Sequence, residues 1–440
     1  MNDSVDEKMT ARSANAGLRA GSLAGLVMGL YAFTTILLLK SRVLEQLAEA
    51  KEKLAPFMPN IDLNTFYLLG LFAVPVAMVL VYLVMGVLFG TMFDKVKTKP
   101  RLKVAAFIVL FIFGFFFGLT TNLPVSKMVT VAASLCSCLL FAFFFLSHGK
   151  KGKREETRPK EKKGRVAFFL VVVAAATLSL WGFSSLLGTK LIVLSPFYMF
   201  IPFVATILSC LFYRVPLGSL ALLVKPNRWF LVAWLLPALL SCVALGISLI
   251  FPGVEYSPSM EGVSRYYGVS PSVVAEQYTL LGLPPLVSVL FMGLIAGPTV
   301  NALFAFGEEI GWRGFLHREL AHLGFWKLSY ATGFIWGIWH APLILHGLNY
   351  PQHPVEGIGM MIVFTTLLSP LLTYIRIRTK SVIGAAIMHG TVNGVSGISV
   401  AFAKGGSDLI VGLTGLSGFA VLLLANAVLF KASRSAFGAL

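Results

Sequence analysis

Long apolar stretches, broken by short polar connections, run through almost the whole chain. Each stretch is about 20 residues long, which is the length that a helix needs to cross roughly 30 Å of hydrocarbon. The pattern therefore predicts an all-α polytopic membrane protein with about twelve transmembrane helices. The predicted spans lie near residues 17–39, 67–93, 104–120, 127–147, 165–187, 191–213, 229–251, 284–306, 328–347, 357–375, 381–403 and 408–430.

A polar run that begins at His148, HGKKGKREETRPKEKKGR, separates two groups of spans. The run is too charged for a core, and we interpret residues 148–164 as a flexible cytoplasmic linker. Four spans fall in an N-terminal membrane region, residues 1–147, and eight fall in a C-terminal bundle, residues 165–440. In the C-terminal bundle, Gly297-Pro298 either kinks one long helix or separates two shorter ones.

The composition and the distribution of charge agree with a membrane protein. The chain is 57% hydrophobic and 12% charged, whereas soluble domains carry about 25% charged residues. Its net charge of +17 does not indicate nucleic-acid binding, because the basic residues cluster in connections between apolar spans. By the positive-inside rule the basic connections, such as 94–103 and 376–380, face the cytoplasm, where lipid headgroups contact them. This sorting predicts a multi-pass cell-membrane protein with both termini in the cytoplasm.

Two adjacent glutamates stand out because carboxylates at membrane depth are costly and mark functional sites. Glu308 and Glu309 occur with Arg313 in the run AFGEEIGWRGFL. Glu309 and Arg313 are four residues apart, so on a helix they share a face and can form a bidentate ion pair. Glu308 is rotated by about 100° from Glu309, which leaves it free to face a different neighbour.

Three further polar residues lie inside later apolar segments. His340 ends the run FIWGIWH, and an imidazole beside the carboxylate of Glu308 can help it to take a proton from water. His389 and Asn393 are again four residues apart and can donate hydrogen bonds to the oxyanion that forms as a carbonyl becomes tetrahedral. Together the four side chains predict an amide hydrolase site within a membrane.

The same residues resemble the motifs of a known family. GEEIGWRGFL matches the EExxxR signature of the CPBP intramembrane proteases, a family that contains the CAAX prenyl endopeptidases and bacteriocin-processing or immunity-type proteins. His340 matches the family's FxxxH motif, with Trp336 in place of the phenylalanine, and His389 with Asn393 matches HxxxN. The resemblance covers about residues 290–405 and implies a CPBP-type bundle.

The resemblance also implies a role for each residue of the set. By this likeness Glu308 and His340 activate the water, His389 and Asn393 support the oxyanion, and Glu309 and Arg313 are structural or tune Glu308. We favour a mechanism without a cofactor. The alternative is a zinc ion held by Glu308, His340 and His389, since two histidines and a glutamate are acceptable zinc ligands.

The resemblance leaves several substrates and functions open. A substrate of this site is a membrane-associated peptide or protein: a prenylated CAAX-type terminus, a leader peptide or another such segment. A cavity open to the cytoplasm would suit a lipidated C-terminal tail. Two other functions fit parts of the pattern, namely a non-catalytic immunity or scaffold protein and a carrier that uses Glu308 and His340 as a proton relay.

Overall fold

The computed structural model describes residues 2–54, 63–96, 100–120, 127–147, 159–186, 190–213, 215–222, 224–263 and 283–436. These residues are almost entirely helical, and their two β-strands have two residues each. Six helical segments among them are long and apolar enough, by length and composition, to cross a membrane: 16–38, 70–93, 163–182, 229–248, 285–345 and 356–379. Shorter apolar helices lie at 106–118, 195–210 and 416–431. The prediction of an all-α membrane protein is confirmed.

The chain divides into two compact units, the first of which is formed by residues 1–156 and 215–222. Its core is built from alanines, methionines, tyrosines and phenylalanines on facing helices. The helices are α1 (Asn2–Leu38), α2 (Lys40–Leu54), α3 (Leu63–Val96), α4 (Pro100–Thr120) and α5 (Lys127–Ser147), followed by a 3₁₀ turn at Leu217–Leu220. Helix α2 occupies part of the predicted connection 40–66, and its Val43, Leu44 and Leu47 pack on this core.

Helices α1 and α3 of the first unit approach each other through glycine. A Cβ atom on Gly17 would lie 2.0 Å from the carbonyl oxygen of Gly86, and one on Gly86 would lie 2.2 Å from that of Gly17. One turn further along α1, a Cβ on Gly21 would lie 2.3 Å from the carbonyl oxygen of Tyr82. Small residues allow the backbones of membrane helices to pack this closely.

The second unit, residues 157–214 and 223–440, contains the remaining elements. Its described helices before residue 264 are α6 (Pro159–Leu186), α7 (Ser195–Tyr198), α8 (Ile201–Phe212) and α9 (Trp229–Ser248). Those that follow are α10 (Pro285–Ala296), α11 (Ala302–Glu309), α12 (His317–Leu320), α13 (Gly324–Trp339), α14 (Ala341–Leu345), α15 (Pro354–Thr379), α16 (Val382–Val395), α17 (Ile398–Ala401) and α18 (Leu416–Ala436). Strands β1 (Glu255–Tyr256) and β2 (Ala403–Lys404) pair antiparallel.

A continuous helical run from α10 to α12 carries the glutamates and contains two π-helical segments. The first, Gly297–Asn301, lies at Gly297-Pro298, so this pair neither separates two helices nor leaves the α-helical hydrogen bonding intact. The second, Ile310–Leu316, directly follows Glu309. Proline lacks the N–H that would continue the α-helical pattern, and π segments inside α-helices are frequent at functional sites.

Some predicted boundaries differ from the structure. The span predicted at 191–213 is divided into a 3₁₀ turn at Leu191–Leu194 and helices α7 and α8. The span predicted at 408–430 begins later, because residues 407–415 form turns before α18. Of the predicted linker, residues 148–158 lie outside the described residues, and residues 159–164 already belong to helix α6.

We expect Gly86→Ala to destabilise the first unit, because the added Cβ meets the backbone of Gly17 rather than a movable side chain. Overpacking of this kind costs roughly 1–3 kcal/mol. The measurement is thermal unfolding in detergent with a thiol-reactive dye in a Cys136→Ser, Cys210→Ser, Cys242→Ser background, where buried Cys138 is the remaining thiol and reports on this unit. Gly70→Ala is the control on the same helix, since no atom lies within 4 Å of its added Cβ. Equal unfolding temperatures for the two variants would contradict the close approach.

Candidate active site

Three helical segments of the second unit bring the predicted site residues together. Glu308 and Glu309 end α11, His340 follows the last residue of α13, and His389 and Asn393 lie on α16. Helix α16 can approach the glutamates because Gly390 faces the first π segment: a Cβ there would lie 2.5 Å from the carbonyl oxygen of Gly297. The approach of these backbones therefore fixes the position of the histidine relative to the carboxylates.

Glu309 is the acceptor for two cationic or potentially cationic side chains. Its Oε1 accepts a hydrogen bond from Nη1 of Arg313 at 2.8 Å, so the expected ion pair forms, but through one hydrogen bond and not the bidentate pair that the spacing allows, since Oε2 has no hydrogen-bond partner among the described residues. The same oxygen lies 3.0 Å from Nδ1 of His389. All three side chains are buried. Removal of charges from water is costly, and the pairing of Glu309 with Arg313 offsets that cost.

Arg313 also links the helices on the other side of this pair. Its Nη2 donates to Oγ of Ser369 at 3.2 Å, and that hydroxyl donates to the carbonyl oxygen of Ser329 at 2.6 Å. Nε of Arg376 donates to the carbonyl oxygen of Arg313 at 3.2 Å. We call Arg313, Ser369, Ser329 and Arg376 the arginine layer. This layer joins the second π segment to α13 and α15.

Trp336 contacts most members of the predicted site. Its Nε1 donates to Oε2 of Glu308 at 2.7 Å. Its ring centroid lies 5.6 Å from that of His340 and 5.0 Å from that of His389, with the rings at steep angles to each other. The guanidinium carbon of Arg313 lies 4.7 Å from the centroid of the same ring, a cation–π contact. The indole thus connects a carboxylate, two imidazoles and a guanidinium.

The hydrogen bonds of the two imidazoles define their tautomers. Nδ1 of His340 lies 2.8 Å from the carbonyl oxygen of Trp336, which can only accept, so Nδ1 carries the proton. In the neutral ring Nε2 is then a hydrogen-bond acceptor. Nδ1 of His389 faces the carboxylate of Glu309, and a carboxylate in this position orients an imidazole and stabilises its protonated form.

A small cavity of about 60 Å³ lies beside these residues. Its polar lining includes His340, His389 and Asn393, and Asn393 is exposed. Met361, Phe364, Leu368 and Val392 supply an apolar wall, and Trp336, Asn349, Thr365, Ser396 and Thr414 complete the lining. Glu308 is buried and does not itself line the cavity, but it is hydrogen-bonded to Trp336, which does.

The zinc alternative requires three ligands around one point. Within the described part of the chain, no group of three His, Cys, Asp or Glu side chains is placed to hold a metal ion. Glu308 accepts from Trp336, while His389 presents Nδ1 to Glu309. The zinc alternative stays a prediction, because these hydrogen bonds leave Oε1 of Glu308 and Nε2 of each histidine available as ligands.

The contacts of Trp336 with Glu308 and of Ser369 with Arg313 were not predicted from the sequence. Trp336 was recognised only as an aromatic residue in the place of phenylalanine, although its indole N–H is the donor to Glu308. Ser369 carries no motif, yet it binds Arg313. The difference between tryptophan and phenylalanine was the available signal for the first contact, because a buried indole N–H needs an acceptor. No local pattern indicates the second.

We expect Glu309→Gln to destabilise the second unit by roughly 3–5 kcal/mol, because it leaves the guanidinium of Arg313 buried without its counter-charge. The double variant Glu309→Gln, Arg313→Met should recover much of that loss. Thiol-dye unfolding in a Cys136→Ser, Cys138→Ser, Cys242→Ser background follows this unit through buried Cys210, the remaining thiol. The control Glu356→Gln, at an exposed position in the first turn of α15, should unfold like the wild type. Wild-type unfolding of Glu309→Gln would contradict the assigned ion pair.

A comparison with family models matches the region that carries these motifs. Residues 282–395 match the model described as type II CAAX prenyl endopeptidase Rce1-like. No curated protein matches the chain significantly. The family supports an intramembrane endopeptidase in general, which acts on a membrane-associated peptide. The chain therefore carries, at residues 282–395, an Rce1-like type II CAAX prenyl endopeptidase domain, consistent with a CPBP-family intramembrane protease.

Proposed function

We propose that this protein hydrolyses a peptide bond of a membrane-associated peptide with water that Glu308 and His340 activate, without a metal ion. The observation that carries the proposal is the set of contacts of Trp336. One indole binds Glu308 and packs on both His340 and His389 beside a cavity that Asn393 also lines. A hydrolase needs a base, oxyanion donors and room for water at one place, and these residues supply each of them.

In the first step, a water molecule in the cavity attacks the carbonyl carbon of the scissile bond. Nε2 of His340 is available as an acceptor, since Nδ1 is bound to the carbonyl oxygen of Trp336. Trp336 holds Oε2 of Glu308, and no other donor among the described residues contacts this carboxylate. The proposed role of Glu308 requires a water from the cavity to reach its Oε1, which accepts no hydrogen bond from the described residues. One of these groups takes a proton from the water as the new C–O bond forms.

In the second step, the tetrahedral intermediate collapses. His389, protonated and paired with Glu309, and the amide of Asn393 stabilise the negative charge that develops on the carbonyl oxygen. The C–N bond then breaks as the proton taken from water moves to the leaving nitrogen. The products are a carboxylic acid and an amine, which become a carboxylate and an ammonium when the acid proton passes to the amine, so atoms and charges balance without a cofactor.

We expect Glu308→Gln, His340→Ala and His389→Ala each to lower the cleavage rate by a factor of about 100 or more, since a general acid or base contributes 10²–10⁴-fold. The assay is cleavage of internally quenched prenylated and unprenylated peptides by purified protein in lipid vesicles, with product masses read by mass spectrometry. Glu356→Gln and His322→Ala are the matched controls, because both residues are exposed in the second unit.

The outcome also separates the proposal from its alternatives. If the wild type cleaves none of the peptides and the variants unfold like it, an immunity or scaffold protein fits better. If the same variants abolish proton-linked solute uptake in vesicles instead, a carrier fits better. Cleavage that chelators abolish and added zinc restores would favour the metalloprotease.

We expect Trp336→Phe to reduce kcat by about 10-fold or more while KM changes little. Phenylalanine keeps a ring against Arg313 and His389 but removes the N–H that holds Glu308. A hydrogen bond to a charged group contributes about 1.5–3 kcal/mol. Trp326→Phe is the control, because that ring packs on Tyr330 and Phe430, away from the site. An unchanged kcat for Trp336→Phe would mean that Glu308 does not depend on this donor.

A further inference from the structure

The cavity beside the candidate site is bounded differently at its two ends. Helices α13 and α15 run antiparallel: a Cβ on Gly333 would meet Thr365, and one on Gly337, a turn further along α13, would meet Ile362, nearer the start of α15. The start of α13 and the end of α15 therefore lie at one end of the unit. The end of α13 and the start of α15 lie at the other.

Basic residues collect at one of these ends, which we call the basic end. Arg376 and Arg378 lie in the last turn of α15, and Lys327 lies near the start of α13. Other helices bring further basic residues there. The ring of Trp229, at the start of α9, contacts Arg228 and Arg378, and Phe430, next to Lys431 in α18, packs on Trp326.

The opposite end is formed by the connections 346–353 and 403–415, whose charges nearly balance. His353 contacts Asp408 at 2.5 Å, and the backbone N–H of Gln352 donates to the same carboxylate at 2.7 Å. Lys404 is paired with Glu261 at 3.4 Å. These bonds hold the two connections together beside the cavity.

The arginine layer closes the cavity toward the basic end. Along one face of α15, Thr365 lines the cavity, Ser369 belongs to the arginine layer, and Thr373, one turn further toward the basic end, is buried. The second π segment reinforces this closure, because Trp312, Phe315 and Leu316 are fully buried beside Arg313. A path from the cavity to the basic end would have to break these contacts.

Polar residues of the opposite end line the cavity instead. Asn349 and Thr414 come from its two connections, and Ser396 caps the end of α16 on the same side. Asn349 and Asn393 are exposed. Among the described residues, the exposed part of the cavity lining therefore lies at the end without the basic cluster.

We propose that the candidate site is entered from the extracytoplasmic side of the membrane. Basic ends of membrane helices face the cytoplasm by the positive-inside rule, and the cavity opens at the other end. Resting on the proposed peptidase function, this assigns a substrate class: a polypeptide segment exposed on the extracytoplasmic face, rather than a lipidated tail presented in the cytoplasm.

The test uses single cysteines in full-length protein, in a background with all four native cysteines replaced by alanine. Ser396→Cys and Asn393→Cys report on the cavity, and Lys327→Cys reports on the basic end. Thr373→Cys is the comparison on the other side of the arginine layer, where its side chain is buried. The probe is a small charged methanethiosulfonate, added to intact cells or to inverted vesicles.

In intact cells, we expect the Ser396→Cys and Asn393→Cys proteins to react about tenfold or more faster than the Thr373→Cys protein, because only a wet thiol reacts with such a probe. Lys327→Cys should react only in inverted vesicles. Reaction of Thr373→Cys from the cytoplasmic face as fast as Asn393→Cys would overturn the proposal. So would labelling of Ser396→Cys only from the cytoplasmic face, or equal rates for Asn393→Cys and Thr373→Cys in intact cells.

Labelling does not depend on catalysis, so failures of the two proposals can be told apart. The expected labelling without cleavage of any peptide would disprove the peptidase and leave the side of entry intact. Cleavage of a quenched peptide added to inverted vesicles, with none when it is added to right-side-out vesicles, would overturn the side of entry and leave the peptidase intact. Cleavage only in right-side-out vesicles supports both.

Discussion

The buried carboxylate of Glu309 constrains the rest of the candidate site. A charge at this depth is tolerated only with a counter-charge and well-formed hydrogen bonds, and Arg313 and His389 meet Glu309 at a single oxygen. Because Arg313 must stay within reach of Glu309, its remaining N–H groups and its π-face are also fixed. The hydroxyl of Ser369 accepts a hydrogen bond from one of these N–H groups, and the ring of Trp336 packs against the guanidinium. The positions of both histidines and of Glu308 then follow through Trp336.

The sequence was sufficient to predict contacts between residues that are close along the chain, but not contacts between residues that are far apart along it. Glu309 and Arg313 are four residues apart on one helical run, so their pairing follows from helix geometry alone. The bond between His389 and Glu309 joins residues 80 positions apart. No periodicity reveals such a contact, because it depends on glycines that let α16 approach the π segment at 297–301. The sequence therefore grouped the site residues but assigned Glu309 only to Arg313.

The same limit applies to the helices. Hydropathy identified the long apolar segments, since their length follows from bilayer thickness. It did not predict the π segments at 297–301 and 310–316, because one extra residue in a turn hardly changes an apolar average. It also missed helix α2, which is amphipathic and lies in a stretch with charges of both signs. The FxxxH motif indicates only that position 336 is aromatic. The hydrogen bond to Glu308 depends on the indole nitrogen, which phenylalanine lacks.

A site closed at one end has a physical advantage for hydrolysis. Behind the arginine layer, the dry environment strengthens the attraction between Glu309 and its two partners, since Coulomb energies grow as the dielectric constant falls. On the cavity side of the arginine layer, the half-buried His340 and the exposed Asn393 line the cavity, which water can enter. His389 lies at this boundary, with Nδ1 on the dry carboxylate and its ring on the lining of the cavity. An imidazole placed in this way can hold a positive charge that the carboxylate of Glu309 stabilises at Nδ1. The other side of the ring can then present this charge to an oxyanion that develops in the cavity.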